Sequence, residues 1–363
     1  MKIRPSARQG SCCGSAQEKT ACCPSEPVSN NVFRTDAVLT LKDRYAHFRC
    51  RVGAYRAKYM VKPGLYALGN PGKESDVFVT ANYGLSFDKL RSALSNTDAW
   101  ILVLDTKGIN VWCAAGKGTF GTEELVKKIF STQLFSVVSH RRLILPQLGA
   151  PGVAAHEVKR QTGFRVIYGP VRATDLKGFL KAGYKAAAGM RQVGFSLIDR
   201  LVLTPMEIRP ALKGFSIFAL IVLALSGLTP SGISFSEASS WGLPLAVLGF
   251  LSIIAGAFIT PALLPWVPFR SFALKGWLTG IVMVLVFDWF TGWPASLYLD
   301  IARYLFFPLA SSYIALQFTG STVYTGLSGV QKELRYSIPV YIGGTVFSFV
   351  LLSVFKIKTM GLL

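Results

Sequence analysis

Ala99-Trp100-Ile101-Leu102-Val103-Leu104-Asp105-Thr106-Lys107-Gly108-Ile109-Asn110-Val111-Trp112-Cys113-Ala114-Ala115-Gly116-Lys117-Gly118 reads as an apolar strand, a polar turn and a short helix of small residues. A buried strand handed to a helix through such a turn puts a site at the carboxyl end of a sheet. Open α/β folds bind ligands there. Asn110 is a good N-cap, which makes Val111, Trp112 and Cys113 the first helical turn. Free backbone N–H groups and the helix dipole at that turn favour a thiolate on Cys113. Lys117, four residues on, brings its ammonium to the same face. Ala114, Ala115 and Gly116 have almost no side chain and leave room for something large and flat against this turn, and Trp112 is expected to pack the short helix.

Working outward, strand candidates lie at 64–68, 77–81, 99–104, 141–145 and 164–167, with helical stretches at 87–94, 122–130 and 153–161 between them. Such alternation predicts an α/β unit over 36–176, a mostly parallel Rossmann-like sheet with helices on both faces. Gln147-Leu148-Gly149-Ala150-Pro151-Gly152 forms a second loop at the same end of that sheet. The basic stretch 177–213 reads as a juxtamembrane linker. Residues 1–35 are polar and rich in Ser, Pro and charge, and are expected to form a disordered tail without a secretory signal. Within it Cys12-Cys13 and Cys22-Cys23 match neither zinc nor ferredoxin spacing. Soft thiolates nevertheless suit a soft cation such as Hg(II). The alternative is a tail whose thiols matter little.

The charge is lopsided. Of 39 Lys and Arg, 32 precede Gly214, as do 15 of the 19 Asp and Glu, so the first 213 residues carry +17 and the rest +3. With a mean hydropathy of +0.41, this describes a basic domain joined to a membrane part. The positive charge is expected to attract the anionic membrane lipid of the cytoplasmic leaflet. No nucleic-acid-binding motif accompanies it, and no phosphate-loop, dinucleotide or nucleophile-elbow motif is present. Five apolar runs follow, at 214–228, 241–264, 272–290, 297–316 and 337–355, predicting five transmembrane helices. Loop Arg and Lys place 267–275 and 318–336 inside. That predicts a multi-pass protein of the inner (cytoplasmic) membrane, with its amino terminus and basic domain in the cytoplasm and its carboxyl terminus outside. Lys356 and Lys358 run against that rule. Asp300 and Arg303, three apart on one helical face, are expected to form a local ion pair.

Asn110 through Lys117, N-V-W-C-A-A-G-K, resembles the signature of the HgcA family, the corrinoid proteins of microbial mercury methylation. Val79-Thr80-Ala81-Asn82-Tyr83 and Leu104-Asp105-Thr106-Lys107-Gly108 are similar to the corrinoid-binding domain of the acetyl-CoA pathway corrinoid iron–sulfur protein. The resemblance implies a corrinoid cofactor of cobalamin type, bound base-off with Cys113 as lower axial ligand to cobalt. It further implies that Asn110–Lys117 and the loops near Thr80, Thr106, Gln147 and Gly149 hold the corrin ring. None of His47, His140 and His156 sits in a D-x-H-x-x-G motif, so if a corrinoid binds base-off its ligand is not a motif histidine. The implied function is membrane-anchored methyl transfer from cobalt to Hg(II), giving methylmercury. The implied partners are a ferredoxin-like iron–sulfur protein (HgcB-like) as electron donor and a methyl-folate methyltransferase as methyl source. Two alternatives stay open: a corrinoid methyl carrier of one-carbon metabolism, and a membrane transporter or sensor with a cytoplasmic binding domain.

Overall fold

The computed structural model describes residues 32–293, 296–322 and 327–361, so Cys12, Cys13, Cys22 and Cys23 lie outside the described residues. Val77–Ala81 (β3) and Ala99–Leu104 (β4) form the heart of the sheet. β3 is buried along its whole length, as expected of a strand covered on both faces, and it pairs in parallel with β4 from Val77↔Trp100 to Ala81↔Leu104. Around them the chain adds Phe33–Thr35 (β1), Leu41–Val52 (α1), Gly64–Leu68 (β2), Gly84–Ala93 (α2), Val111–Gly116 (α3), Thr122–Ser131 (α4), Leu134–Val137 (α5), Arg142–Leu145 (β5), Ala155–Thr162 (α6), Arg165–Tyr168 (β6) and Leu176–Lys181 (α7).

Among the described residues the sheet has six strands in the order β1-β2-β4-β3-β5-β6. β3, β4, β5 and β6 are mutually parallel. β2 runs antiparallel to β4, so the sheet is mixed rather than parallel throughout. The 69–76 connection is too short to hold a crossover helix, and without one β3 must run back against β2. β1 was not anticipated. It pairs in parallel with β2 and sets Phe33 against Tyr66 at 5.0 Å, within the stretch expected to be disordered. Three residues carry no readable periodicity.

Helices cover both faces. On one, Val111 and Ala114 of α3, Leu125 and Ile129 of α4, Leu134 of α5 and Val158 of α6 close over Val79, Leu102 and Leu104. On the other, Phe87, Leu90 and Leu94 join Leu176 and Phe179 over Phe78 and Ile101. Tyr184 then donates its hydroxyl to Asp76 at 2.9 Å. The residues just past Lys177, expected as linker, therefore pack on this domain through an apolar pair that the surrounding lysines obscured.

After the sheet, Leu197–Gly227, Phe235–Ala262, Phe272–Thr291 and Ser328–Thr359 are long and apolar enough to cross a membrane. A fifth helix, Leu297–Gln317, falls where the fourth run was expected but is not among them. It is the helix the others shelter: Ala302, Arg303, Phe307, Ser311 and Ala315 are buried on it. A Cβ at Gly276 would come within 2.8 Å of Ser312 Cα and one at Gly280 within 2.7 Å of Pro308 Cα, so those glycines permit close helix approach. Sheltering also explains its charge. Arg303 pairs with Asp300 at 2.6 Å and with Asp288 of the preceding helix at 3.0 Å, and Tyr304 donates to Asp288 at 2.6 Å. The expected ion pair is thus one half of an interhelical triad.

Lys332 and Arg335, expected in an inside loop, stand instead on the Leu327–Thr359 helix. Lys356, which ran against the charge rule, donates to the Ser226 carbonyl at 2.6 Å near a helix end. The basic domain joins the bundle at the opposite end. The Arg200 guanidinium, itself buried, donates to the carbonyls of Pro261 at 3.1 Å and Ala262 at 2.6 Å, satisfying groups that a helix carboxyl end leaves free.

Candidate functional site

The carboxyl ends of β3, β4, β5 and β6 point the same way, and the chain leaves β3 for β4 on one side before crossing to β5 on the other. That reversal of strand order is where open α/β sheets form a ligand crevice. Four segments surround it: Asn82-Tyr83 after β3, 105–110 with α3 after β4, 146–152 after β5, and Gly169-Pro170 after β6.

Asn82 organises the second of these. Its Oδ1 accepts from the Thr106 N–H at 3.1 Å, the Thr106 hydroxyl at 2.9 Å and the Gly108 N–H at 2.9 Å, while its Nδ2 donates to Asp105 at 3.1 Å. Thr106 is fully buried, and its hydroxyl, with a single proton to share, also lies 2.7 Å from the Ile109 carbonyl. Lys107 and Gly108 both adopt positive φ, at 55° and 70°, a turn that one amide side chain holds in place. At Gly108 an added Cβ would also run into Met60, so glycine is needed there twice over.

The turn delivers Asn110, whose Oδ1 accepts from the Cys113 N–H at 2.9 Å and caps α3. Within α3, Val111, Ala114 and Ala115 are buried. Their 3.6-residue spacing leaves Trp112, Cys113 and Gly116, with Lys117 just beyond, on the exposed face. This corrects two expectations. Trp112 is 43% exposed and is not part of the core, where it was expected to pack the helix. Ala114 and Ala115 serve the core, so a flat partner would meet Trp112, Cys113 and Gly116 instead. Gly116 and Gly118 have open space where a Cβ would stand. Cys113 is exposed, in contrast to Cys50, which is buried and whose thiol burial pushes up, Arg56 and Arg49 opposing the shift.

The 146–152 loop packs against α3. A Cβ on Gly152 would press on the Phe120 carbonyl and come within 3.0 Å of Ala115 Cα, and one on Gly149 would strike the Phe120 ring. Gly149 is buried there. Thr80 is likewise buried, in β3. Gln147 is different: its Oε1 is buried and, among the described residues, has no hydrogen-bond partner, which is costly unless something else supplies a donor. The structure thus gathers α3 and Gln147 around one crevice, and uses Thr106 and Gly149 to build its walls. Asn82 escaped notice as a site residue. The available signal was an Asn directly after an apolar strand, where one side chain can both donate and accept.

An exposed thiol on an open helix face, room above Gly116 and Gly118, and an orphaned amide oxygen on the adjacent loop fit a large planar group carrying a thiophilic metal. Residues 52–180 match the family described as the CO dehydrogenase/acetyl-CoA synthase delta subunit. The acetyl-CoA decarbonylase/synthase complex subunit gamma of Archaeoglobus fulgidus is 32% identical over 131 residues, covering 36% of this chain and 27% of that protein. The subunit of the same name from Methanocaldococcus jannaschii is 32% identical over 153 residues, 42% of this chain and 30% of that protein. The corrinoid/iron-sulfur protein large subunit of Moorella thermoacetica is 29% identical over 124 residues, 34% and 27% of the two chains. This chain therefore spans less than a third of the length of these relatives. Its α/β domain is thus similar to subunits of acetyl-CoA decarbonylase/synthase complexes and to a corrinoid/iron-sulfur protein large subunit.

Proposed function

We propose that this chain is a membrane-anchored corrinoid methyltransferase that passes a methyl group to Hg(II), with Cys113 as the residue that would hold the cobalt. The observation that carries the reading is the exposed Cys113, presented on the open face of a capped helix at the sheet's switch point. It lies inside residues 52–180, which match the CO dehydrogenase/acetyl-CoA synthase delta subunit family. When bound, the corrinoid supplies a cobalt-held methyl group. Asn110 fixes the turn that presents Cys113 Sγ, and Asn82 fixes the loop that presents Asn110. Lys117 offsets thiolate charge, while Trp112, Gly116 and Gln147 supply surface and one acceptor to the ring and its side chains. A Cys113 thiolate would be an electron-rich donor to the cobalt, and the bound group would then supply its methyl to an electrophilic acceptor such as Hg(II). Reduction and remethylation fall to separate proteins, a ferredoxin-like iron–sulfur donor and a methyl-folate methyltransferase. The basic domain and amino terminus face the cytoplasm, the four apolar helices anchor the chain, and Cys12, Cys13, Cys22 and Cys23 capture the thiophilic substrate.

A second reading is favoured by the names of the relatives: a corrinoid methyl carrier of one-carbon metabolism. The visible spectrum of the full chain loaded with cobalamin, beside Cys113→Ala, decides between them. A thiolate-ligated spectrum lost in the variant, together with loss of methylmercury formation, supports the mercury reading. Tight binding with identical spectra favours the carrier, and absence of binding rejects both.

A further inference from the structure

A cavity of about 1280 Å³ opens where the 264–271 turn, the start of the Phe272–Thr291 helix and the Ser328–Thr359 helix meet. Phe269, Trp277 and Tyr336 give it apolar and aromatic walls, and Arg270, Lys275 and Lys332 line it as cations. The carboxylate that lines it, Glu333, is already engaged, accepting from the Ser271 hydroxyl at 2.9 Å and the Ala273 N–H at 3.1 Å. Lys275 is only 7% exposed. Its ammonium donates to the Leu264 carbonyl and, among the described residues, forms no ion pair. An ammonium has three donors, and one carbonyl does not neutralise it. A buried charge without a counter-ion is costly, and such charges are retained where something pairs with them. The cavity also lies at the end of the bundle where Arg200 clamps Pro261 and Ala262, the end that carries the basic domain. Apolar walls with cations at that depth suit an amphiphile with an anionic head.

We propose that this cavity binds the phosphate head of an anionic phospholipid, with Lys275 as the buried contact and Arg270 and Lys332 at the rim. The proposal rests on reading the carboxyl-terminal helices as membrane spans. The chain's net charge of +20 draws the protein to an anionic leaflet in any case; the cavity adds a specific site to that general attraction.

The test places the full chain in nanodiscs of phosphatidylcholine containing a minority of phosphatidylglycerol, and measures the lipid retained on gentle detergent extraction. Phosphatidylglycerol should be enriched roughly tenfold over its bulk share, corresponding to about 1.4 kcal/mol of preference. Lys275→Met should return the ratio to bulk. Because that variant removes a buried group, Arg270→Gln combined with Lys332→Gln provides a version with only exposed changes, and should lower the enrichment partway. Bulk composition in the wild type, or enrichment unchanged by both variants, overturns the lipid site. So does inorganic phosphate stabilising the protein in pure phosphatidylcholine as well as phosphatidylglycerol does, which would make the ligand a free anion. Failure to enter nanodiscs overturns the membrane reading itself, whereas entry without enrichment overturns the lipid site alone.

Discussion

Asn82→Ala tests whether one amide side chain holds the loop that carries the candidate site. The substitution removes the acceptor of the Thr106 N–H, the Thr106 hydroxyl and the Gly108 N–H, and the donor to Asp105. Thr106 is fully buried, so its N–H cannot turn to water, and a buried donor left without a partner costs about 1–3 kcal/mol. Gly108 is only partly buried and recovers some of its loss from solvent, leaving a net cost of about 1 kcal/mol. Together these destabilise the loop by about 3 kcal/mol, or roughly a hundredfold in its opening equilibrium. Hydrogen exchange read by mass spectrometry on the full chain in detergent measures that quantity directly. Amides at 105–110 should exchange about a hundredfold faster, while those of α2 and β5 stay unchanged. Asn82→Asp keeps the acceptor but sets a second oxygen against Asp105, so its effect should be smaller than that of Ala. An acceleration below about threefold in the Ala variant, or one spread evenly over the domain, would refute the assignment of the loop's rigidity to Asn82.

The remaining expectations concern the same domain. Gly152→Ala forces a methyl group against the Phe120 carbonyl and Ala115; overpacking of this kind costs about 1–3 kcal/mol. It should lower the thermal unfolding temperature, and an unchanged melting curve would show that α3 and the 146–152 loop part freely. A maleimide should modify Cys113 long before Cys50, because Cys113 is exposed and Cys50 is buried with its thiol pushed up by burial; peptide mapping that found equal rates would contradict the fold around α1. Asp43 is subject to burial, which raises its pKa, but hydrogen bonds from Thr40 and Arg91 outweigh this and hold the carboxyl below its ordinary value of 3.8. Its folded value lies below its unfolded one, so its contribution is complete above pH 3.8 and is lost as pH falls through the lowered value. Protection of α1 amides should therefore fall away on that acid limb. Asp43→Asn should flatten that limb, and an equally steep loss in the variant would assign it elsewhere.

Much of this architecture was legible in the chain. The apolar runs at 77–81 and 99–104 are buried on both faces, so each announces a central strand without its neighbours. Asn110 three residues before Cys113 determines a local cap, and short-range hydrogen bonding needs no tertiary context. Long apolar segments with few charges read as membrane helices for the same reason. What the sequence left open depends on contacts between distant residues. β1 is three residues long and exists because β2 offers it an edge. Phe179 and Tyr184 join the domain through Asp76 and the second sheet face, which no local pattern reveals. The 297–317 helix tolerates Asp300 and Arg303 because its neighbours cover it and Asp288 completes the pairing. The direction in which α3 faces was likewise decided by packing: Val111, Ala114 and Ala115 fill the core, and only that choice turns Cys113 and Trp112 outward. Local chemistry determined which residues could form the site, and the burial of their neighbours determined which of them it presents.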